Sequence, residues 1–154
     1  MKREQILFHT LGVFKDESNK VRPVFNCGAK PCQDAKSLNE NLVNGPNFIK
    51  DVPQVLTRFR CKTIGLTIDI KEMFLQVGLL EEDQRYHRFL WVDSEGELVV
   101  FEFDCHAFRN RSSPCCSIYV VRHVAEEHKI DCPRAYEAIV HSTIMDDMCD
   151  SCWS

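Results

Sequence analysis

Apolar and polar positions fall into blocks along this chain, and the block lengths set the first expectations. Two short apolar runs between Val13 and Phe25 flank the polar middle KDESNKVR, a pattern that predicts a β-hairpin turning near Asn19. Residues 26–36, NCGAKPCQDAK, carry Gly and Pro and predict a loop. Ser37 stands three residues before Glu40, the spacing of a capping box. It predicts a helix over SLNENLVN that stops at Gly45, with Pro46 following. Phe48, Ile49, Val52, Val55, Leu56 and Phe59 recur at three and four residues and predict a second helix over 47–59. Pro53 lies within it and is expected to kink or restart it.

The run TIGLTIDI, residues 63–70, is rich in β-formers and predicts a strand delivering Asp69 at its end. Lys71 to Val77 suits a helical turn, and Glu81-Glu82-Asp83 a polar break. Strands are expected over 87–92 and 98–103, joined by the Gly-containing loop DSEGE. Ser112-Ser113-Pro114 opens the next helix, with Ser as cap and Pro in the first turn. It should run to His128 with Ile118, Val121, Val124 and Ala125 on its face. Asp131-Cys132-Pro133 breaks the pattern; a short helix at 133–137 and a β-rich run from Ile139 to Met145 precede Asp146-Asp147. Hairpin, helices, strand, hairpin, helix, strand is the order of an α+β fold with an antiparallel or mixed sheet.

Composition narrows the classes. The 154 residues amount to one domain or a piece of one, and 44% hydrophobic content suits a packed core rather than a disordered chain. No apolar run approaches the length of a membrane span. The opening MKREQILFHTLGVF has a basic start but no small-residue cleavage site, so it reads as structure and not as a signal peptide. An intracellular, reducing compartment follows, in which the nine cysteines are free thiols. The net charge of -4 disfavours a stand-alone nucleic-acid binder: the basic parts lie elsewhere, or this piece does not bind alone.

Three carboxylates carry the candidate chemistry. Asp69 follows TIGLTI, and Asp146-Asp147 follow AIVHSTIM. Meeting at adjacent strand ends, they could hold two divalent cations about 3.5–4 Å apart, an arrangement that stabilises the attacking and leaving oxygens of nucleotidyl transfer. Magnesium suits oxygen ligands that share a site with substrate phosphates. The plainer alternative is that Asp69 caps a turn and the Asp-Asp pair is solvated. A zinc module is a further alternative, since Cys27-x4-Cys32, His128-x3-Cys132 and Cys149-x2-Cys152 have ligand-like spacing. Against zinc, no two C-x2-C knuckles face each other, and Cys115 and Cys116 suit a helix as small core residues. The six histidines show no Ser-His-Asp or Cys-His logic and suit core, surface or strand-end roles.

Five ordered blocks add a resemblance. LGVFKDESNKVRPVFNCGAK, SLNENLVNGPNFIKDVPQVLTRFR, IDIKEMFLQVGLLEEDQRYHRFLW, SSPCCS and IMDDM together resemble the reverse transcriptase of BEL/Pao-type long-terminal-repeat retrotransposons, from His9 to Ser154. The resemblance implies the fingers and palm portion of that enzyme, fingers-like over 9–62 and palm-like over 63–154. The palm is ferredoxin-like, an antiparallel sheet with helices, truncated here before the thumb. The implied activity is RNA-directed DNA polymerase: a primer 3′-hydroxyl attacks the α-phosphate of a deoxynucleoside triphosphate. Asp69, Asp146 and Asp147 match the catalytic aspartates that bind two magnesium ions, or manganese in their place. Phe74, five residues after Asp69, matches the aromatic beneath the nucleotide sugar that excludes a 2′-hydroxyl; a plain core Phe is its other reading. Arg22 matches a basic fingers residue whose planar donors contact the triphosphate. Lys30 would assist it or stand as a solvated loop lysine. Ser113-Pro114 match the S-P step that opens the helix beneath the template-primer. Implied partners are an RNA or DNA template-primer, the nucleotides, and the thumb, ribonuclease H and integrase of a Pol polyprotein, in the cytoplasm or a virus-like particle and without a membrane.

Three positions depart from the family pattern. Arg109, after Phe108, occupies the Gly of F-G-x-x-x-S-P; Ile144 occupies the Tyr of Y-x-D-D; and Phe25-Asn26-Cys27-Gly28 stands for F-D-A-S. Glycine would permit positive φ and close approach to a ligand, where Arg adds bulk and charge. With the truncation, these departures predict that the chain is inactive alone. They also leave open a catalytically inactive remnant or a repurposed nucleic-acid or protein interaction domain.

Overall fold

The computed structural model describes residues 7–15, 18–30 and 32–153, leaving aside the side chains of residues 7–9, 11, 13–15 and 18–22. Its contacts divide the chain into two compact units, Met1–Asn44 with Phe74–Ser113, and Gly45–Met73 with Pro114–Ser154.

The first unit is built on a four-stranded sheet. β1 (Leu7–Lys15) and β2 (Ser18–Asn26) form the expected hairpin, with Thr10 opposite Phe25. Asn19 lies inside β2, because the reversal comes earlier, between Lys15 and Ser18; its two connecting residues lie outside the described residues. α1 (Leu38–Asn41) has the capping box: the Glu40 N–H donates to Ser37 Oγ at 3.2 Å and the Ser37 N–H to Glu40 Oε2 at 2.8 Å. It lasts one turn instead of reaching Gly45. Asn41 Nδ2 donates to the Ser37 carbonyl, a local competitor of helix bonding, and Leu42 is already extended.

A 3-10 turn (Met73–Gln76) falls at the boundary of the units, and the polar break becomes a short helix, α3 (Glu81–Gln84). β4 (Arg88–Val92) and β5 (Leu98–Glu102) then pair around a loop in which Asp93 Oδ1 accepts the N–H groups of Glu95 and Glu97. The sheet order is β2-β1-β4-β5, with β1 and β4 parallel through Leu7/Arg88 and Phe8/Phe89. Phe25, Cys27 and Leu38 form the core, with Leu42, Phe89 and Phe103 packed against them.

The second unit is a three-stranded antiparallel sheet with helices. α2 (Val52–Phe59) starts later than its apolar spacing predicts, since Pro53 sits in the first turn, where its missing N–H costs nothing. Pro53 therefore begins the helix and does not kink it. β3 (Ile64–Asp69) is followed by α4 (Ser113–Glu127), whose first residue closes the first unit, then α5 (Pro133–Ser142), β6 (Thr143–Ile144) and β7 (Asp147–Cys152). The run from Ile139 that reads as strand is helical as far as Ser142. Ala138 and Ser142, four residues apart on one face of α5, are both buried. The sheet order is β3-β7-β6. Val55 of α2 is fully buried, and a Cβ on Gly65 of β3 would lie 2.8 Å from Phe59 Cζ, so any side chain there would push the Phe59 ring aside. The fold is α+β, helix mixed with largely antiparallel sheet. Among the described residues, no helix is long and apolar enough to cross a membrane.

Candidate active site

β3 and β7 run antiparallel in a register that sets Asp69 directly opposite Asp147. The Ile70 N–H donates to the Asp146 carbonyl at 2.9 Å, carrying the ladder one bond past the strand end. β6 pairs Ile144 with Asp147, leaving Met145 and Asp146 as the tight turn, and Met145 takes a φ of 58°. The fold thus gathers the backbones of Asp69, Asp146 and Asp147 at one end of one sheet.

All three aspartates are exposed. Directly opposed antiparallel residues share a face with Cβ atoms about 4.5–5.5 Å apart, and like charges so placed destabilise the pair. Among the described residues none of the three enters an ion pair. Nor, among the described residues, do three His, Cys, Asp or Glu side chains stand together as a ready metal-holding group. The backbone register brings the aspartates together; the carboxylate oxygens have yet to converge.

Asp150, three residues along β7, contrasts with them. Its carboxylate pairs with Arg134 and accepts from Ser142 Oγ at 3.2 Å, while Arg134 also donates to the Ser151 carbonyl at 3.0 Å. Asp150 is a neutralised structural acid that sequence reasoning passed over; its cation lies sixteen residues upstream, with no local pattern to announce it.

The other candidate residues divide between the units. Pro114 belongs with the aspartates in the second; Arg22, Phe74 and Ser113 belong to the first. Arg22 lies in β2 opposite Val13, and its side chain is outside the described residues. Phe74 is half-buried and meets Phe108 edge-on, ring centroids 5.1 Å apart. Ser113 is buried and donates its hydroxyl proton to the Ala107 carbonyl at 2.9 Å, so it braces the start of α4.

Arg109 has a φ of 66°, in the left-handed region that glycine enters freely and other residues rarely do. Neighbours within the first unit hold it there. Asn39 Nδ2 donates to the Arg109 carbonyl at 3.0 Å, and Asn39 Oδ1 accepts the Arg111 N–H at 2.8 Å. The Cys27 thiol, pushed up to about 11 by burial, stays protonated and donates to the Phe108 carbonyl at 3.9 Å. Asn39 also went unread in the sequence, where it is one residue of a capped helix.

No protein-family model matches the chain, and no curated protein matches it significantly.

Proposed function

We propose that this chain is the fingers and palm core of a retrotransposon reverse transcriptase, with a ferredoxin-like palm, working by template-directed nucleotidyl transfer. The observation that carries the reading is the opposition of Asp69 and Asp147 at a strand tip, with Asp146 in the adjoining turn. Two further observations support it. The second unit connects a strand to a β-hairpin through helices and sets the first strand beside the last, as a split βαβ arrangement does. The position where the motif calls for glycine takes the backbone conformation that glycine favours, although the residue is Arg109.

Magnesium, or manganese, fits the donor set: exposed carboxylates offer oxygen alone and leave room for water and phosphate. Bound there, such ions offset the repulsion of the opposed carboxylates and stabilise charge on the attacking and leaving oxygens. Asp69, Asp146 and Asp147 would hold them. By the resemblance, Phe74 would supply the aromatic surface beneath the sugar, and Arg22 would contact the triphosphate. Ser113 and Pro114 begin the helix beneath the template-primer, Ser113 by fixing the loop before it.

Divalent-cation titration of the chain, with nucleotide and primer-template present, tests the reading. Binding should be lost or weakened in Asp147→Asn. The same variant should stabilise the metal-free chain by about 0.2–1 kcal/mol, because one of two opposed like charges is gone. Absence of divalent binding in the wild-type chain overturns the proposal. A second reading, a non-catalytic nucleic-acid or protein interaction domain, is favoured by the bulk and charge of Arg109. Nucleic-acid binding indifferent to divalent ions, without primer extension, would select it.

A further inference from the structure

Four buried polar side chains cluster in the first unit: His87, His106, Asn110 and Ser113 are 4%, 8%, 2% and 1% exposed. At such burial the polar atoms depend on protein partners. Ser112 fixes the direction of the network. Its backbone N–H, which can only donate, lies 3.1 Å from Asn110 Oδ1, and its hydroxyl lies 3.0 Å from the same atom. The Asn110 amide therefore turns its oxygen to Ser112 and its Nδ2 to His87. Asn110 Nδ2 stands 2.9 Å from His87 Nε2. An amide nitrogen only donates, so Nε2 accepts and carries no proton. His87 Nδ1 faces the Asp83 carbonyl, which only accepts, at 3.3 Å. The contacts thus define His87 as the neutral Nδ1–H tautomer.

We infer that neutral His87 is a pH-sensitive lock on the loop of residues 107–113, and that acidification opens this loop. A proton on Nε2 would set N–H against the Asn110 amide protons with no acceptor between them. Turning the Asn110 amide over would only move the clash to the Ser112 N–H. The arrangement must therefore break instead of adjusting. His106 is not the lock. Ser113 gives its proton to Ala107, so the 3.3 Å contact runs from His106 Nδ1–H to Ser113 Oγ and survives protonation of the ring.

The groups facing His87 include Asp83 from α3 and His106 from the segment after β5. Burial lowers His87 below the ordinary 6.5 and outweighs the opposing Asp83 carbonyl and charge; burial and His87 lower His106 likewise. A histidine lowered in the folded state binds its proton more readily once the loop is open. The lock is fully present above the ordinary imidazole value and is lost as pH falls through the lowered one. The inference stands apart from the polymerase reading; under that reading, the locked loop is the one that leads into Ser113 and Pro114.

Hydrogen exchange of the loop amides in the full chain, corrected for intrinsic rates, tests this at about pH 7.5 and about pH 5, either side of the imidazole range. In the wild type, protection of residues 107–113 should fall on acidification, by up to about tenfold per pH unit. Asn110→Asp should reverse the sign. One carboxylate oxygen keeps the Ser112 bonds while the other accepts a protonated Nε2, so the loop is better protected in acid. An Asn110→Asp chain that follows the wild-type pH profile overturns the inference. Should that variant not fold, nitrogen NMR of the wild-type His87 ring decides. A proton on Nδ1 at neutral pH, with loop opening that tracks the titration of His87, supports the lock. A proton on Nε2, or loop opening at another pH, refutes it.

Discussion

In the first unit Phe25 stands edge-on to Phe89 and Phe103, ring centroids 5.1 and 4.9 Å apart, over a capped turn that adds Leu38. In the second, β3 alternates Gly65 and Thr67 with Ile64, Leu66 and Ile68, and these three large side chains stay 48%, 49% and 46% exposed. Both segments read from the sequence as strands with apolar residues to bury. One finds aromatic neighbours from two stretches of chain and leucines from a third; the other finds close contact with α2 on the Gly65 face, while the side chains on the Leu66 face stay half exposed. The difference shows that an apolar alternation specifies a strand without specifying its cover.

That contrast can be broken or sharpened by substitution. Phe25→Ala should cost about 3–5 kcal/mol, as for other buried aromatics truncated to Ala, read from urea unfolding of the chain. A small effect would mean that the first unit's core lies elsewhere. Arg109→Gly should stabilise by about 1 kcal/mol, since it removes a side chain from left-handed backbone, with the gain offset in part by the freer unfolded chain; a rise in thermal midpoint checks it. Leu66→Thr keeps a β-former on a half-exposed site and should shift the urea midpoint by less than about 1 kcal/mol. A cost matching that of Phe25 would show this face to be covered in solution.

Much of the fold is legible before folding. The two hairpins, the capping box at Ser37, the Ser-Pro opening of α4 and the strand that ends on Asp69 rest on short-range rules, and each forms. The misreadings lie where local rules are ambiguous. Ile139 to Met145 suits either period over so few residues, and the burial of Ala138 and Ser142 decides for helix. α1 shortens because Asn41 competes for a helix carbonyl. At the candidate site, the sequence places carboxylates at two strand ends, while their opposition is a fact of register that only pairing reveals. The partners of Asp150, the grip of Asn39 on Arg109 and Arg111, and the His87–Asn110 contact join residues between 8 and 72 positions apart. No periodicity encodes such pairs.

Among the described residues β3 is the outermost strand of its sheet, so its backbone groups on that side, beside Ile64, Leu66 and Ile68, have no strand partner there. Charges guard that stretch, Lys62 two residues before Ile64 and Asp69 at its end, with Asp147 doubling the negative charge across the ladder. Such residues keep copies of a sticky strand from stacking. A divalent ion bound at the carboxylate tip, as proposed above, would strip away part of its electrostatic guard. Under the proposed reading, metal loading and colloidal stability would therefore pull against each other, and turbidity belongs beside the metal titration that tests it.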